Sequence, residues 1–276
     1  MLRFALVPYL NALPLYEGLQ TLLPEANIRH LPPAGVAKAL RNQQADVGLV
    51  PVFSLFDPGM EDFICLPDTG ICAKGEVISV YLAARKPFSE IKEIVLDPES
   101  RSSAALLRIL APNYFSKDIK FFHTLPGYET EIGGDRAGLI IGDRALKMTE
   151  EFPYRLDLSK AWYEMSGLPF VFAVWAIRRS SVSEELVQVL KATKFNGLQN
   201  LDRIAFEWAK AHKMAYEIPY RYLKDHIYYN IGAPEHEGLK RFTHLAIAHE
   251  FFPPTKEIHY YDTHAYYRPG SIGAGR

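Results

Sequence analysis

Two long β-type runs, Glu76–Arg85 (EVISVYLAAR) and Phe170–Ile177, constrain this chain more than any other feature, because each stands beside its own alternation of short strand and helix patterns. Ahead of the first run, Leu2–Val7 is closed by Pro8, Leu13–Leu22 has helical spacing, Ile28–Leu31 is a second apolar run, Gly35–Arg41 is helical, and Val47–Val50 is closed by Pro51. That order reads as βαβαβ, whose crossovers demand a parallel sheet with helices on its faces. Between the long runs the alternation repeats: Ile94–Leu96, a helix over Ser102–Leu110, Ile119–Phe122, Gly138–Ile141 and a short helix from Asp143. Two crossing strands around a self-contained unit predict an α/β protein of two lobes, residues 1–84 plus 178–276 forming the first and 85–177 inserted as the second, with a ligand cleft between them. From Ser183 the pattern turns helical, with Ser183 as cap and Glu184 and Glu185 as an acidic first turn, and these C-terminal helices are expected to pack on the first lobe.

Charge and cysteine content narrow the partners. Lys and Arg sum to 31 against 32 for Asp and Glu, giving a net charge of -1, so neither nucleic acid nor an anionic membrane surface is an expected partner. Cys65 and Cys72 are the only cysteines in 276 residues and sit among apolar and small neighbours, the pattern of buried hydrophobes in a reducing compartment. The N-terminal apolar run ends at Pro8 with no cleavage motif, and Pro169–Ile177, the longest apolar stretch, spans nine residues against the ~20 a bilayer requires. A cytoplasmic protein without a membrane span is expected, and the tail from Arg268, with Gly270, Gly273 and Gly275, is expected to be poorly ordered.

In a parallel α/β sheet, ligands bind beyond the carboxyl ends of the strands, so Pro8 and Pro51 mark the rims of a candidate pocket. Asn11, just after Tyr9, follows the first strand and is read either as a helix cap or as a neutral donor and acceptor facing a ligand. Ser100, Arg101, Ser102 and Ser103 open the helix behind Ile94–Leu96, where free N–H groups, hydroxyls and a guanidinium converge as a carboxylate or phosphate trap. Gly142 and Asp143 repeat the arrangement after Gly138–Ile141, Gly142 lining the pocket and Asp143 best suited to cap its helix. Nine histidines invite a metal reading, but His236, His244, His249, His259 and His264 lack ligand spacing, and no metal is expected. There is no nucleophile elbow, phosphate loop or dinucleotide fingerprint, and Glu129 and Glu131 read as solvated loop charges.

Five segments in order, Val7-Pro8-Tyr9-Leu10-Asn11-Ala12-Leu13-Pro14-Leu15, Asp46-Val47-Gly48-Leu49-Val50-Pro51, Ser100-Arg101-Ser102-Ser103, Ile141-Gly142-Asp143 and Leu168-Pro169-Phe170-Val171-Phe172-Ala173-Val174-Trp175, resemble the menaquinone-biosynthesis chorismate dehydratases of the futalosine route. The resemblance runs from about residue 4 to residue 178 and weakens over the C-terminal helices. It implies a periplasmic-binding-protein type II-like fold used as a cytoplasmic carbon–oxygen lyase, with no metal or organic cofactor. It further implies a small dicarboxylate substrate, chorismate, losing water to give 3-[(1-carboxyvinyl)oxy]benzoate. On that resemblance Asn11 and Ser79 are the candidate catalytic residues, and Tyr9, Pro51, Ser100, Arg101, Ser102, Ser103, Gly142 and Asp143 the candidate substrate-binding residues. No motif position is a His or Glu, which leaves a substrate carboxylate as the candidate base.

Two departures stand out: the apolar Val52-Phe53 before Ser54 at the expected pocket floor, and the Tyr-rich segment from Tyr260 to Tyr267. The alternatives are a sister futalosine-pathway enzyme of the same fold, which differs at the Tyr9-Leu10-Asn11 motif, and a small-anion solute-binding protein. A homodimer is compatible with the sequence.

Overall fold

The computed structural model describes residues 1–148, 151–251 and 258–261; the glycine-rich tail, His264 and the Tyr-rich segment beyond Tyr261 lie outside the described residues. Eleven described strands form two mixed sheets: β1 (Arg3–Leu6), β2 (Asn27–His30), β3 (Val47–Pro51), β4 (Phe63–Ala73), β5 (Val80–Ala84), β6 (Glu93–Leu96), β7 (Lys120–His123), β8 (Arg136–Ile141), β9 (Tyr154–Asp157), β10 (Phe170–Arg178) and β11 (Tyr228–Asn230). The first sheet runs β11-β4-β10-β3-β1-β2 and the second β7-β6-β8-β5-β9. The α-helices are α1 (Leu13–Tyr16), α2 (Leu19–Leu22), α3 (Pro33–Arg41), α4 (Arg101–Leu110), α5 (Gly142–Lys147), α6 (Leu158–Ser166), α7 (Glu184–Gln199), α8 (Leu201–His212), α9 (Glu217–Arg221) and α10 (Ala233–Ala248). None is long and apolar enough to cross a membrane.

The βαβ alternations produce the parallel pairings that crossover chemistry requires: β1 lies between β2 and β3, and β6 between β7 and β8, all in parallel. The crossing strands run antiparallel, β5 against β8 and β9 and β10 against β3 and β4. Sheet membership moves both crossing points toward the N-terminus from those expected. Val80–Ala84, expected in the first lobe, is a central strand of the second sheet, while Phe170–Ile177, expected in the inserted lobe, pairs within the first.

Residues 63–73 form the longest described strand although they contain Pro67, Asp68 and Gly70, residue types that disfavour a strand interior. The physical reason is a break in register: Cys65 and Gly70 both pair with β10, opposite Ala176 and Val174, and Leu66–Thr69 bulge out where proline and aspartate do no harm. Gly70 is required there, since a Cβ would stand 2.5 Å from the Ala173 carbonyl oxygen. Both cysteines are buried and unpaired in β4, and burial pushes the Cys65 thiol up to about 12. The helix expected over Leu13–Leu22 is two short ones, because Gly18 adopts φ +75° between them.

As expected, α7 covers the first lobe. Thr193 donates to the Leu15 carbonyl at 2.8 Å, and Gly197 sits so close to Pro14 that a Cβ would fall 1.9 Å from its carbonyl oxygen. An edge-to-face aromatic cluster ties the halves together: Phe172 and Phe170 of β10 at 4.8 Å, then Trp162 of α6 and Phe242 of α10 at 5.6 and 5.1 Å from Phe170. Trp162, Phe170 and Phe242 are all fully buried.

Candidate active site

The strand ends converge on one cavity between the sheets, about 80 Å³ in volume, lined by Tyr9, Asn11, Pro51, Val77, Val80, Ser100, Ser102, Ser103, Ile141, Gly142, Phe172 and Ile227. Seven of the ten residues singled out from the sequence therefore line one cavity. Asn11 is not a cap; it lies within a single 3-10 turn, Leu10–Ala12, that begins after Tyr9 with no side-chain cap.

The serine cluster opens α4 and is almost wholly buried. Ser100 is the cap: its hydroxyl accepts from the Ser103 N–H at 3.3 Å and donates to the Ser103 hydroxyl at 2.7 Å. Ser103 Oγ thus keeps its own hydrogen for the cavity that it lines. Ser102 Oγ accepts from the Phe53 N–H of the first lobe at 3.1 Å. This explains the apolar Val52-Phe53: the backbone, not the side chain, makes the polar contact. Arg101 does not line the cavity. Its guanidinium holds both Asp57 oxygens at 2.5 Å and lies over the Phe53 ring at 4.7 Å.

Gly142, at φ +64°, packs against the Tyr9 ring. Asp143 does not cap its own helix; it reaches across the cleft and accepts from the Leu10 N–H at 3.0 Å, and burial raises its carboxyl above the ordinary range. Four contacts therefore close the lobes on one another: Tyr9 to Glu99 at 2.6 Å, Leu10 to Asp143, Phe53 to Ser102, and Arg101 to Asp57.

Behind Tyr9 lies a network that sequence reasoning missed. Arg144 binds Asp97 at 2.5 Å, Glu129 at 2.6 Å and Glu99 at 3.7 Å, and Tyr128 donates to Asp97 at 2.9 Å. Glu129, read as a solvated loop charge, is a largely covered member of this network, whereas Glu131 stays half exposed and pairs with Arg136. Burial raises the Asp97 carboxyl despite Arg144, and raises the Tyr9 hydroxyl, reinforced by Glu99. The spacing of Asp97, Glu99 and Arg144 was visible in the sequence; their convergence depends on the β6–β8 pairing and was not.

Ser79 lies just outside the cavity, its hydroxyl 2.7 Å from that of Tyr222, a residue that no motif signalled. Its backbone is fixed by a tight turn: Ser79 N–H donates to the Val77 carbonyl at 2.7 Å around Ile78, which adopts φ +54°. One Asp157 oxygen accepts from both the Val77 and Ile78 N–H groups. Such a φ in a β-branched residue is strained and persists only because its surroundings hold it.

Among the residues lining the cavity, Tyr9 alone has an ionisable side chain. The described residues contain no group of three or more His, Cys, Asp or Glu side chains arranged for a metal ion. Chemically, the site offers neutral donors from a helix start, hydroxyls and a carboxamide inside an apolar shell.

A family model described as menaquinone biosynthesis matches residues 2–248. A chorismate dehydratase of Thermus thermophilus is 31% identical over 279 aligned positions, covering 89% of this chain and 99% of its own. Another, of Campylobacter jejuni, is 29% identical and covers 87% and 95%. Among solved structures, protein AF1704 of Archaeoglobus fulgidus has a TM-score of 0.73 at 16% identity, covering 91% of this chain and 98% of its own. The alkanesulfonate-binding protein SsuA of Xanthomonas axonopodis pv. citri reaches 0.67 at 16% identity, over 91% and 94%. These two likenesses speak for the fold alone, that of the two-lobed periplasmic binding proteins.

Proposed function

The chain belongs to the menaquinone-biosynthesis family, and from that membership we propose that it is a chorismate dehydratase, removing water from chorismate to give 3-[(1-carboxyvinyl)oxy]benzoate. The observation that carries the reading is the set of neutral donors from both lobes facing one cavity. A dicarboxylate is held there by the first N–H groups of α4 and the hydroxyl of Ser103, in a site where hydrogen bonds are not diluted by water.

The elimination is redox-neutral. The C–O bond to the ring hydroxyl breaks, the neighbouring ring carbon gives up its proton, one water departs and the ring becomes aromatic. Aromatisation supplies a large driving force, so the protein's work is to orient the substrate, stabilise charge that spreads toward the ring carboxylate, and exclude solvent. With Tyr9 as the only ionisable lining side chain, held protonated beside Glu99, the proton goes to a carboxylate of the substrate itself, which passes it to the departing hydroxyl so that water leaves and the carboxylate is regenerated. Asn11 holds the departing hydroxyl and that carboxylate in register.

The cavity of about 80 Å³ is well below the ~300–1,000 Å³ of typical ligand pockets, so entry requires the four interlobe contacts to open and chemistry requires them to reform. The scheme uses no cofactor and fits a cytoplasmic enzyme. Purified protein incubated with chorismate, followed by ultraviolet absorbance and product mass, tests it: a species lighter by one water is expected. Unchanged chorismate, with a carboxylate ligand still raising the melting temperature, would move the function to the sister enzyme or to a binding protein.

A further inference from the structure

Resting on that reading, we propose that Asp157, which does not line the cavity, is a positioning residue: its carboxylate clamps the strained turn Val77–Ser79 and so fixes the cavity wall that Val77 forms and the place of Ser79 beside it. Both carboxylate oxygens are in use. Oδ2 accepts from the Val77 N–H at 3.0 Å and the Ile78 N–H at 2.7 Å, while Oδ1 accepts from the Ser159 and Lys160 N–H groups, both at 3.0 Å. The second pair is an ordinary cap on α6. The first pair serves no helix, and it falls on the segment by which the chain passes from β4 of the first sheet to β5 of the second. Asp157 ends β9, the edge strand paired with β5, so the second lobe holds the chain at its point of entry.

The turn needs holding. Of the four described non-glycine residues at positive φ, Ile78 alone is β-branched, the kind of side chain that tolerates that region least. Packing does not fully enclose it. Val77 lines the site cavity, and a second cavity of about 330 Å³, lined by Ile78, Tyr81, Tyr114, Leu156 and Asp157 among others, lies against the next residue, so the turn is a partition with space on both sides. The ion pair of Lys160 with Glu76, 2.8 Å long and half exposed on both partners, adds little. Strain of this kind persists only where something over-determines it, and here that is the two N–H bonds to Asp157.

Release of the turn would reach the site by two routes. Val77 is fully buried in the cavity wall, and a shift of Ile78 to negative φ moves it directly. On the other side of the turn, the Ser79 carbonyl accepts from the Gly142 N–H at 2.8 Å, and Gly142 packs against the Tyr9 ring. One carboxylate outside the cavity therefore sets the position of lining residues on two segments.

The test is a rescue cycle. A serine hydroxyl can cap α6 but cannot serve the helix and the turn together, so Asp157→Ser is expected to lower kcat/KM on chorismate about 10- to 100-fold, the cost of misplaced groups. Glycine takes positive φ without strain, so adding Ile78→Gly to Asp157→Ser is expected to recover about tenfold of that loss. Adding Ile78→Ala instead shortens the same side chain but leaves the backbone strained, and is expected to recover none of it. A folded Asp157→Ser with wild-type kcat/KM makes Asp157 a helix cap only and overturns the proposal, as does equal recovery with Ile78→Gly and Ile78→Ala, or none with Ile78→Gly. If Asp157→Ser does not fold, Asp157→Asn takes its place, since its one carbonyl oxygen serves the turn or the helix start but not both, and the same comparison decides. Binding of isophthalate, an aromatic dicarboxylate that cannot eliminate water, is measured by calorimetry in the same proteins, and Asp157→Ser is expected to weaken it about tenfold. Wild type that leaves chorismate intact removes the dehydratase reading; restoration of isophthalate binding by Ile78→Gly and not by Ile78→Ala then still supports the clamp, and its absence overturns it.

Discussion

Replacing Gly142 by alanine separates the backbone of the site from its closure. The new Cβ would stand 2.9 Å from Tyr9 Cε2 and 3.1 Å from Cδ2, so the ring must move. Two costs follow. At φ +64°, an L-residue costs about 1–2 kcal/mol. Displacing the ring loosens the 2.6 Å bond to Glu99, a bond to a charged group for which the usual range is about 1.5–3 kcal/mol. Glu99 keeps 29% of its side chain exposed, so the lower end, about 1.5 kcal/mol, applies. The backbone strain should lower Tm by about 2–8 °C, at roughly 2–4 °C per kcal/mol for a chain of this size. The loss of closure should weaken substrate affinity about tenfold. Differential scanning calorimetry and steady-state kinetics read the two parts independently, and Tyr9→Phe should reproduce most of the affinity loss with less of the Tm loss. A Gly142→Ala protein with wild-type Tm and wild-type KM would refute the packing argument.

Arg101→Ala should lower kcat/KM less than tenfold, because it removes one of the four closing contacts rather than a group that lines the cavity; a loss of 100-fold or more would make it a direct substrate clamp. Asp143→Asn tests the buried carboxyl through pH. Burial raises the folded-state value above 3.8, so the folded protein binds the proton more tightly and wild-type stability is lost to this group as pH rises through that window. The Tm difference, variant minus wild type, should therefore become more positive between pH 4 and pH 7, and the opposite slope would count against it. Gly197→Ala places a Cβ 1.9 Å from the Pro14 carbonyl oxygen and should cost several kcal/mol, read as a large loss of soluble protein or of Tm.

What the sequence made legible was whatever depends on local period and punctuation. The parallel pairing around β1 and around β6 followed from alternation alone, and the ends of β1, β3 and β8 marked the cavity because each is followed by a turn and a helix start. What was not legible were features set by partners far along the chain. The 63–73 strand, for which the sequence offered no reading, carries Pro67 and Asp68 in a bulge that exists only opposite β10. Arg101 and Asp143 carry the right chemistry for an anion, yet each found a partner in the other lobe, Asp57 and Leu10. Tyr222 lies 143 residues from Ser79, and no spacing rule reaches that far.

The edge-to-face aromatic cluster of Phe172, Phe170, Trp162 and Phe242 has a mechanical consequence. Because Trp162 of the second unit is fully buried against Phe170 and Phe242 of the first, parting the halves at this point would expose aromatic surface to water, a cost of a different kind from that of breaking the polar contacts around the cavity. The serines of α4 and the Asn11 turn line the cavity from different lobes, so an opening that keeps the aromatic cluster packed would still part them.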